Sequence, residues 1–248
     1  HKECVRLGIS IVSGHTGRYE GVDYPMIGGA TLIGVTNKDN YVSPNMVEPG
    51  DLILMTKGPA IETAGILSSL FPQVLEKDYG KEFASKAQNI FWLQSVVEDA
   101  LTLSSLGLRK GVKAMHDATE YGVWGALNDI AEASKVKIEV YKEKLFIRDD
   151  VSKVLKSFSS FTKINIDPYA SISEGTLIAA ISKDKEKEAI KILNEKGIEA
   201  RIIGEAKEGN GVYLIDKDKE TKINQPEKDD FWPVFFRTLD LIKGGKNE

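Results

Sequence analysis

The residues best suited to chemistry lie in a polar turn between a predicted strand and a predicted helix. The apolar run 111–115 leads into segment 116–122, which holds His, Asp, Thr, Glu and Gly, and an amphipathic helix follows over about 123–134. The free N–H groups of a helix's first turn and the helix dipole both favour an anion at such a position. The sequence therefore predicts either a phosphate site at this turn or an ordinary connection between a strand and a helix.

A second unit of the same kind lies earlier in the chain. The apolar strand predicted at 51–56 is followed by Lys57, Gly58 and Pro59, and a helix is predicted over about 60–70. Proline is well tolerated at the first helical position, which supports this helix start. Lys57 is expected either to bind an anion at the turn or to be a surface lysine of a simple connection.

Two further segments contain candidate ligands. Glu174 lies in a Ser/Gly turn directly before an apolar strand, where a carboxylate can bind a metal ion, transfer a proton or cap the turn. The glycine-punctuated segment 14–21 includes His15 and Thr16, and such a loop can bring backbone close to a ligand. The alternative for this segment is a mobile surface turn.

The remaining pattern predicts a mixed α+β protein. The chain's opening, 1–7, is typical of the last turns of a helix that ends at Gly8, so we expect residues to be missing before His1. Pro and Gly at both ends of 44–50 mark a connector. The charged stretch 216–228 is predicted to be a loop. Other strands are expected at 9–13, 25–35, 136–140, 198–203 and 212–215, and other helices at 93–106, 149–156, 184–196 and 229–243.

The amino-acid composition argues against several classes of protein function. The 248 residues are 42% hydrophobic and carry a net charge of −4, which suits one large domain or two modest ones. Lys and Arg are scattered without a basic stripe, which argues against a nucleic-acid groove. The single cysteine excludes an internal disulfide, and no apolar run approaches the roughly 20 residues that span a bilayer. We therefore expect a cytoplasmic protein that binds neither nucleic acid nor a membrane.

Several segments together resemble the AIR synthase (PurM-like) superfamily, most closely its archaeal AIR synthase-related and hydrogenase-maturation dehydratase-like members. The order and spacing of these segments carry the resemblance, which covers nearly the whole chain. The Gly14-His15-Thr16 segment stands where kinase and dehydratase members have Gly-Asp-Thr. The other matching segments are 49–53, 116–123, 126–131, 173–177 and 202–205.

The resemblance implies a two-domain architecture. Residues 1–46 would be the C-terminal part of a PurM-like N-terminal domain, which forms a homodimer through its sheet. Residues 47–248 would be the PurM-like C-terminal α+β domain with a terminal helix. ATP and Mg²⁺ would bind in a cleft between the domains, beside a small-molecule substrate whose oxygen is activated by phosphoryl transfer.

The resemblance also implies roles for particular residues. The implied catalytic residues are His116, Asp117 and Glu174, and the last two are also the implied metal ligands. The implied cofactor-binding residues are Gly14, His15, Thr16, Lys57, Gly58, Thr119 and Gly122.

Three departures from the family pattern leave two hypotheses open. The family's metal-binding aspartates would lie before His1, His15 replaces an aspartate, and the tail 246–248 lacks the terminal cysteine of the dehydratase. The leading hypothesis is an ATP-dependent enzyme that is inactive as this fragment. The alternative is a non-catalytic relative with a nucleotide-binding or regulatory role.

Overall fold

The chain divides into two compact units, residues 1–35 and 36–248, and the computed structural model describes residues 1–15 and 28–244. In the first unit, α1 (Lys2–Leu7) ends at Gly8, whose φ of 69° is left-handed, so the predicted helix end is confirmed. The strands predicted at 9–13 and 28–35 are wrong, because these residues pair with no strand in the described part and all except Ile9 are exposed. Residues 25–27 lie outside the described residues.

The second unit is built on a mixed sheet of seven strands in its described part. The strands lie in the order β2-β4-β1-β5-β3-β6-β7, and every neighbouring pair is antiparallel except β3 and β6. The strands are β1 (Leu52–Thr56), β2 (Val112–Asp117), β3 (Lys137–Tyr141), β4 (Leu177–Ile181), β5 (Ala200–Lys207), β6 (Gly211–Asp216) and β7 (Lys219–Ile223).

Helices cover both faces of this sheet and also pack beside it. The helices of the second unit are α2 (Ile61–Leu70), α3 (Pro72–Ala87), α4 (Val97–Ser104), α5 (Gly122–Ser134), α6 (Asp149–Thr162), α7 (Glu186–Glu195) and α8 (Phe231–Gly244). In the described part of the chain, none of the helices is long and apolar enough to cross a membrane.

The central strand β1 is buried on both faces. Successive side chains of a strand point to opposite faces. Accordingly, Ile53 and Met55 pack in one apolar cluster with α5, and Leu52 and Leu54 pack in another with α4 and α7. All five residues of β1 are buried, which explains why the sequence here is an unbroken apolar run.

A third apolar cluster is formed mainly by helices. Helices α2, α3, α6 and α8 meet around Leu67, Phe71, Phe158 and Phe231, which are at most 5% exposed. Helix α3 breaks at Gly80, where φ is 83°. This cluster holds the first turn of α8 against the helices that follow β1.

Several predicted element boundaries are wrong, including the start of the helix predicted at 93–106, since α4 begins only at Val97. The predicted loop 216–228 contains the edge strand β7, which pairs with β6. Three of its five residues are charged, so its sequence does not have the apolar pattern of a buried strand. Strand β5 continues past Ile203 to Lys207, because Gly204 pairs closely with β3 rather than ending the strand. Helix α6 extends six residues beyond the predicted end, since Val154, Leu155 and Phe158 bury its second half.

Candidate functional site

Three turns meet at one edge of the sheet because of how their strands pair. Strand β4 lies between β1 and β2 and is antiparallel to both, so its start adjoins their ends. Asp117 at the end of β2 faces Leu177 at the start of β4, and Met55 near the end of β1 faces Ile178. We call the three segments the lysine turn (57–60), the His-Asp turn (116–122) and the Glu174 turn (171–176).

Hydrogen bonds link these turns directly. Ala60 N donates to Ser173 Oγ at 2.7 Å, and Thr176 Oγ1 donates to Gly58 O at 2.6 Å. Ser173 N donates to Thr119 O at 3.3 Å. The sequence-predicted residues Gly58, Thr119 and Glu174 therefore belong to one connected substructure.

Glu174 carries the most unusual titration behaviour of this substructure. Burial raises the pKa of its carboxyl group to about 7, and the nearby charges of Asp117 and Glu62 add to the effect. The Gly175 N–H and the Lys57 ammonium act in the opposite direction but more weakly. A carboxyl group with a pKa near neutrality can donate or accept a proton at physiological pH.

Glu62 is a member of the site that sequence reasoning did not select. It lies in the first turn of α2, and its Oε2 accepts a hydrogen bond from Glu174 N at 3.2 Å. Burial raises its pKa, and the charges of Glu120 and Asp229 raise it further. An acidic residue in a first helical turn after a polar loop was the only local signal, and that pattern is also common in ordinary helices.

His116 lies between two carboxylates. Its Nδ1 is 2.6 Å from the backbone oxygen of Asp117 and 3.7 Å from Asp117 Oδ1, and its Nε2 is 3.5 Å from Asp129 Oδ2. The hydrogen-bonding interaction with the Asp117 carboxylate raises the pKa of His116, and burial opposes this. The same interaction lowers the pKa of Asp117. The pair therefore favours a protonated imidazole beside an ionised carboxylate.

Lys57 is already bonded to protein groups. Its ammonium donates to Ser95 O at 2.8 Å and to Asp99 Oδ2 at 3.0 Å, and Lys57 is only 7% exposed. Burial lowers its pKa, and Asp99 opposes this shift. An ammonium has three donors, so one remains for a further acceptor. Binding of a nucleotide by Lys57 stays a prediction.

The lysine turn and the His-Asp turn contain left-handed residues. Lys57 has φ 57°, Ala60 has φ 58° and Tyr121 has φ 61°. Each costs a non-glycine residue on the order of 1–2 kcal/mol. At Gly122, φ is 60°, and a Cβ there would lie 2.5 Å from Ser171 O. Only glycine fits where the His-Asp turn approaches the Glu174 turn.

The remaining predicted residues belong to the first unit. Gly14 and His15 are exposed there, and Thr16 lies outside the described residues. Their predicted role in cofactor binding therefore stays a prediction.

The acidic groups of the second unit fit a magnesium ion only if water and substrate phosphates supply further ligands. In residues 1–15 and 28–244, no three His, Cys, Asp or Glu side chains are arranged to hold a metal ion. Mg²⁺ commonly uses one or two carboxylates together with water and substrate phosphates. The hard oxygens of Asp117 and Glu174 suit that mode of binding, and their role as metal ligands stays a prediction.

Comparison with known proteins identifies the family. Residues 48–217 match the family described as AIR synthase related protein, C-terminal domain. The chain belongs to the AIR synthase-related family. This match includes all three turns, and it confirms the family that the sequence motifs predicted.

The names of individual relatives of this AIR synthase-related chain state different activities. A Methanocaldococcus jannaschii protein, provisionally named for hydrogenase expression and formation, is 27% identical over 83% of this chain and 57% of its own length. A selenide, water dikinase of Aeromonas salmonicida is 26% identical over 86% and 63%. A thiamine-monophosphate kinase of Pyrococcus abyssi is 29% identical over 83% and 56%.

The fold of this AIR synthase-related chain has solved counterparts. The hydrogenase maturation protein HypE of E. coli superposes with a TM-score of 0.57 at 19% identity, over 78% of this chain and 55% of HypE. That likeness confirms the predicted mixed α+β, PurM-like fold. This chain spans about half the length of the curated relatives that it matches.

Proposed function

We propose that this chain contributes the C-terminal share of the active site of an ATP-dependent enzyme that activates a substrate oxygen by phosphoryl transfer. The observation that carries the proposal is the position of Glu174. This carboxyl group has a pKa raised to about 7 and lies beside Asp117 where three turns meet. Proton transfer or cation binding at the point of reaction needs such a group.

The relatives support the class of reaction but not a particular substrate. Their names include a selenide, water dikinase, a thiamine-monophosphate kinase and a carbamoyl dehydratase. One HypE structure, with a TM-score of 0.51, is described as a complex with ATP. The two kinase names and the ATP complex of HypE support ATP as the phosphoryl donor, and the proposed acceptor is a small molecule bearing an oxygen nucleophile or leaving group.

The chain's own residues would perform positioning and charge neutralisation. ATP would supply the phosphoryl group, and Mg²⁺ would supply positive charge for its oxygens. Asp117 and Glu174 would hold Mg²⁺, and protonated His116 would face phosphate oxygens. Thr119 and Gly122 would shape the cradle at the start of α5, whose free N–H groups favour an anion.

Beside the His-Asp turn lies a cavity of about 440 Å³ that can admit a small molecule. Its walls include Glu120 and Tyr121 of the turn and the exposed aromatic side chains of Trp232 and Phe236. A small-molecule acceptor in this cavity would lie against Glu120 and Asp229, whose charges act on the Glu62 carboxyl group. We propose that the acceptor binds in this cavity. We also propose that the homodimer forms through the N-terminal domain.

Binding of ATP is tested by thermal unfolding with and without 5 mM MgATP. At a ligand concentration of about 100 times Kd, binding stabilises by about 2.7 kcal/mol, which corresponds to a rise in Tm of about 5–10 °C for this size. Asp117→Asn and Glu174→Gln should each reduce the rise by at least half. The matched control is Glu132→Gln, an exposed position on α5.

The outcomes separate the two hypotheses. No shift for the wild type in the full-length protein would contradict nucleotide binding altogether. A shift without consumption of ATP, across a panel of small acceptors, would favour the non-catalytic relative. That alternative has one observation in its favour, because the Lys57 ammonium is already bonded to Asp99 and Ser95.

A further inference from the structure

Asp229 is a buried carboxylate at the start of α8 that bonds to three separate segments. Its Oδ1 accepts from Phe231 N at 2.9 Å and from Ile172 N at 3.2 Å, and its Oδ2 accepts from Tyr121 N at 2.8 Å. The residue is 5% exposed. It therefore joins the first turn of α8 to both the Glu174 turn and the His-Asp turn.

We propose that Asp229 is a positioning residue that fixes the His-Asp turn and the Glu174 turn at their working separation. This inference rests on the proposed function only where it concerns MgATP, since the positioning itself is a property of the free protein. Asp229 also lines the cavity beside the His-Asp turn, but both of its carboxylate oxygens are bonded to backbone N–H groups. It would act through the backbone of Tyr121 and Ile172, which are sequence neighbours of Glu120 and Ser173.

Capping of α8 does not account for these bonds. A residue before a helix needs to accept only from an N–H of the first turn, and here the Phe231 N–H fills that role. The bonds from Tyr121 and Ile172 come from segments 108 and 57 residues away. Hydrogen bonds to an ionised carboxylate are shorter and stronger than neutral ones, so they suit a positioning role.

The backbone conformation of Tyr121 explains why its hydrogen bond to Asp229 Oδ2 is needed. Tyr121 has φ 61°, a left-handed conformation that a residue with a Cβ adopts only under constraint. At the next residue, Gly122, a Cβ would lie 2.5 Å from Ser171 O, so the turn has little room to relax in that direction. The Asp229 carboxylate holds the Tyr121 N–H in the one orientation that keeps both turns in contact.

Asp229 also acts on the site through its charge. It is among the causes that raise the pKa of Glu62, whose carboxylate accepts the Glu174 N–H. Burial raises the pKa of Asp229 itself, although its three N–H partners oppose the shift.

Asp229→Asn separates the positioning role from the helix cap. With the oxygen of the new amide at the Oδ1 position, the variant would keep the bonds from Phe231 and Ile172. The NH2 group of the amide would then face the Tyr121 N–H, and two donors cannot bond each other. The reverse orientation would lose two bonds instead of one, so the variant should lose only the bond to Tyr121.

The control is Asp230→Asn, one residue along the chain. Asp230 Oδ2 accepts from Asp167 N at 2.8 Å, outside all three turns. Both variants replace a carboxylate by an amide at the start of α8. Any general effect of lost charge at this helix end appears in both of them.

The measurements are made on the full chain in solution by NMR and calorimetry. In Asp229→Asn, we expect the Tyr121 amide to exchange at least tenfold faster, the Glu174 carboxyl titration midpoint to move, and Kd for MgATP to rise about tenfold. In Asp230→Asn, these three values should stay as in the wild type. A wild-type Glu174 midpoint and wild-type Tyr121 exchange in folded Asp229→Asn would overturn the proposal.

A second variant distinguishes the loss of positioning in Asp229→Asn from a general folding defect. Tyr121→Gly removes the left-handed strain, since glycine adopts this φ freely. The double variant Tyr121→Gly with Asp229→Asn should regain part of the Glu174 titration behaviour, whereas a purely structural defect would persist. If the wild type binds no MgATP, the proposed function fails, and the exchange and titration results still decide the role of Asp229.

Discussion

Among single residues, Glu174 gives the most direct prediction about pH. Its pKa is raised from 4.5 to about 7 by folding, so the folded protein binds more protons than the unfolded chain between these values. The free energy of unfolding should therefore fall as pH rises from about 4.5 to above 7. Glu174→Gln cannot ionise and should be more stable than wild type at pH 8 by about 1–2 kcal/mol, after allowance for solvent screening.

Urea unfolding at pH 5 and pH 8 checks this prediction. The wild type and Glu174→Gln should be nearly equal at pH 5, where both side chains are mostly neutral, and should differ at pH 8. The exposed Glu132→Gln should show no such difference. Equal stability of Glu174→Gln and wild type at both pH values would mean that Glu174 titrates normally.

The sequence identified some site residues and missed their partners, for a physical reason. Glu174 and Asp117 are conspicuous because each adjoins an apolar strand. Glu62, Asp99 and Asp229 become part of the site only through contacts over 42 to 112 residues of chain. No local pattern encodes such a contact, and the family resemblance did not select these residues either.

Among the elements, the approach of the His-Asp turn to the Glu174 turn depends on Gly122. Gly122→Ala would combine a left-handed φ of 60° with a Cβ 2.5 Å from Ser171 O. Gly197 also has a left-handed φ, 72°, but a Cβ there would meet nothing within 4 Å. Gly197→Ala should therefore cost about 1 kcal/mol, the conformational term alone, whereas Gly122→Ala should cost about 3 kcal/mol or more.

The comparison of these two alanine variants by urea unfolding isolates the close approach. Their difference measures the contact with Ser171, because the backbone terms are similar. Two equal losses would show that the turns tolerate a wider separation. In that case the narrow spacing would not be a condition for the site.

Strands were predictable where burial shaped their composition. Strands β1 and β4 pair inside the sheet and are almost wholly apolar, and β4 lies where an apolar strand was predicted, directly after the Glu174 turn. Strand β7 escaped prediction because an edge strand with four exposed residues of five lacks an apolar face. Residues 9–13 have the composition of a strand, but strand formation also requires a partner.

For the whole molecule, the three apolar clusters lie entirely within the second unit. Their buried members run from Val47 to Val234. A protein consisting of residues 36–248 should therefore fold by itself, with a cooperative urea transition and the sheet amides protected from exchange. A broad, non-cooperative transition of that fragment would contradict the prediction, and the whole chain under the same conditions is the control.

The strand order has a consequence for synthesis. Strand β1 lies inside the sheet, yet both of its neighbours, β4 and β5, are encoded more than 120 residues later. At roughly 5–20 residues per second, the ribosome adds these partners on the order of ten seconds after β1. During that interval this apolar strand, which is fully buried in the folded protein, has no sheet partner, and the three turns cannot meet. Conditions that slow translation between residues 56 and 177 should therefore favour aggregation, and the Glu174 carboxyl group would acquire its raised pKa only after β4 has been made.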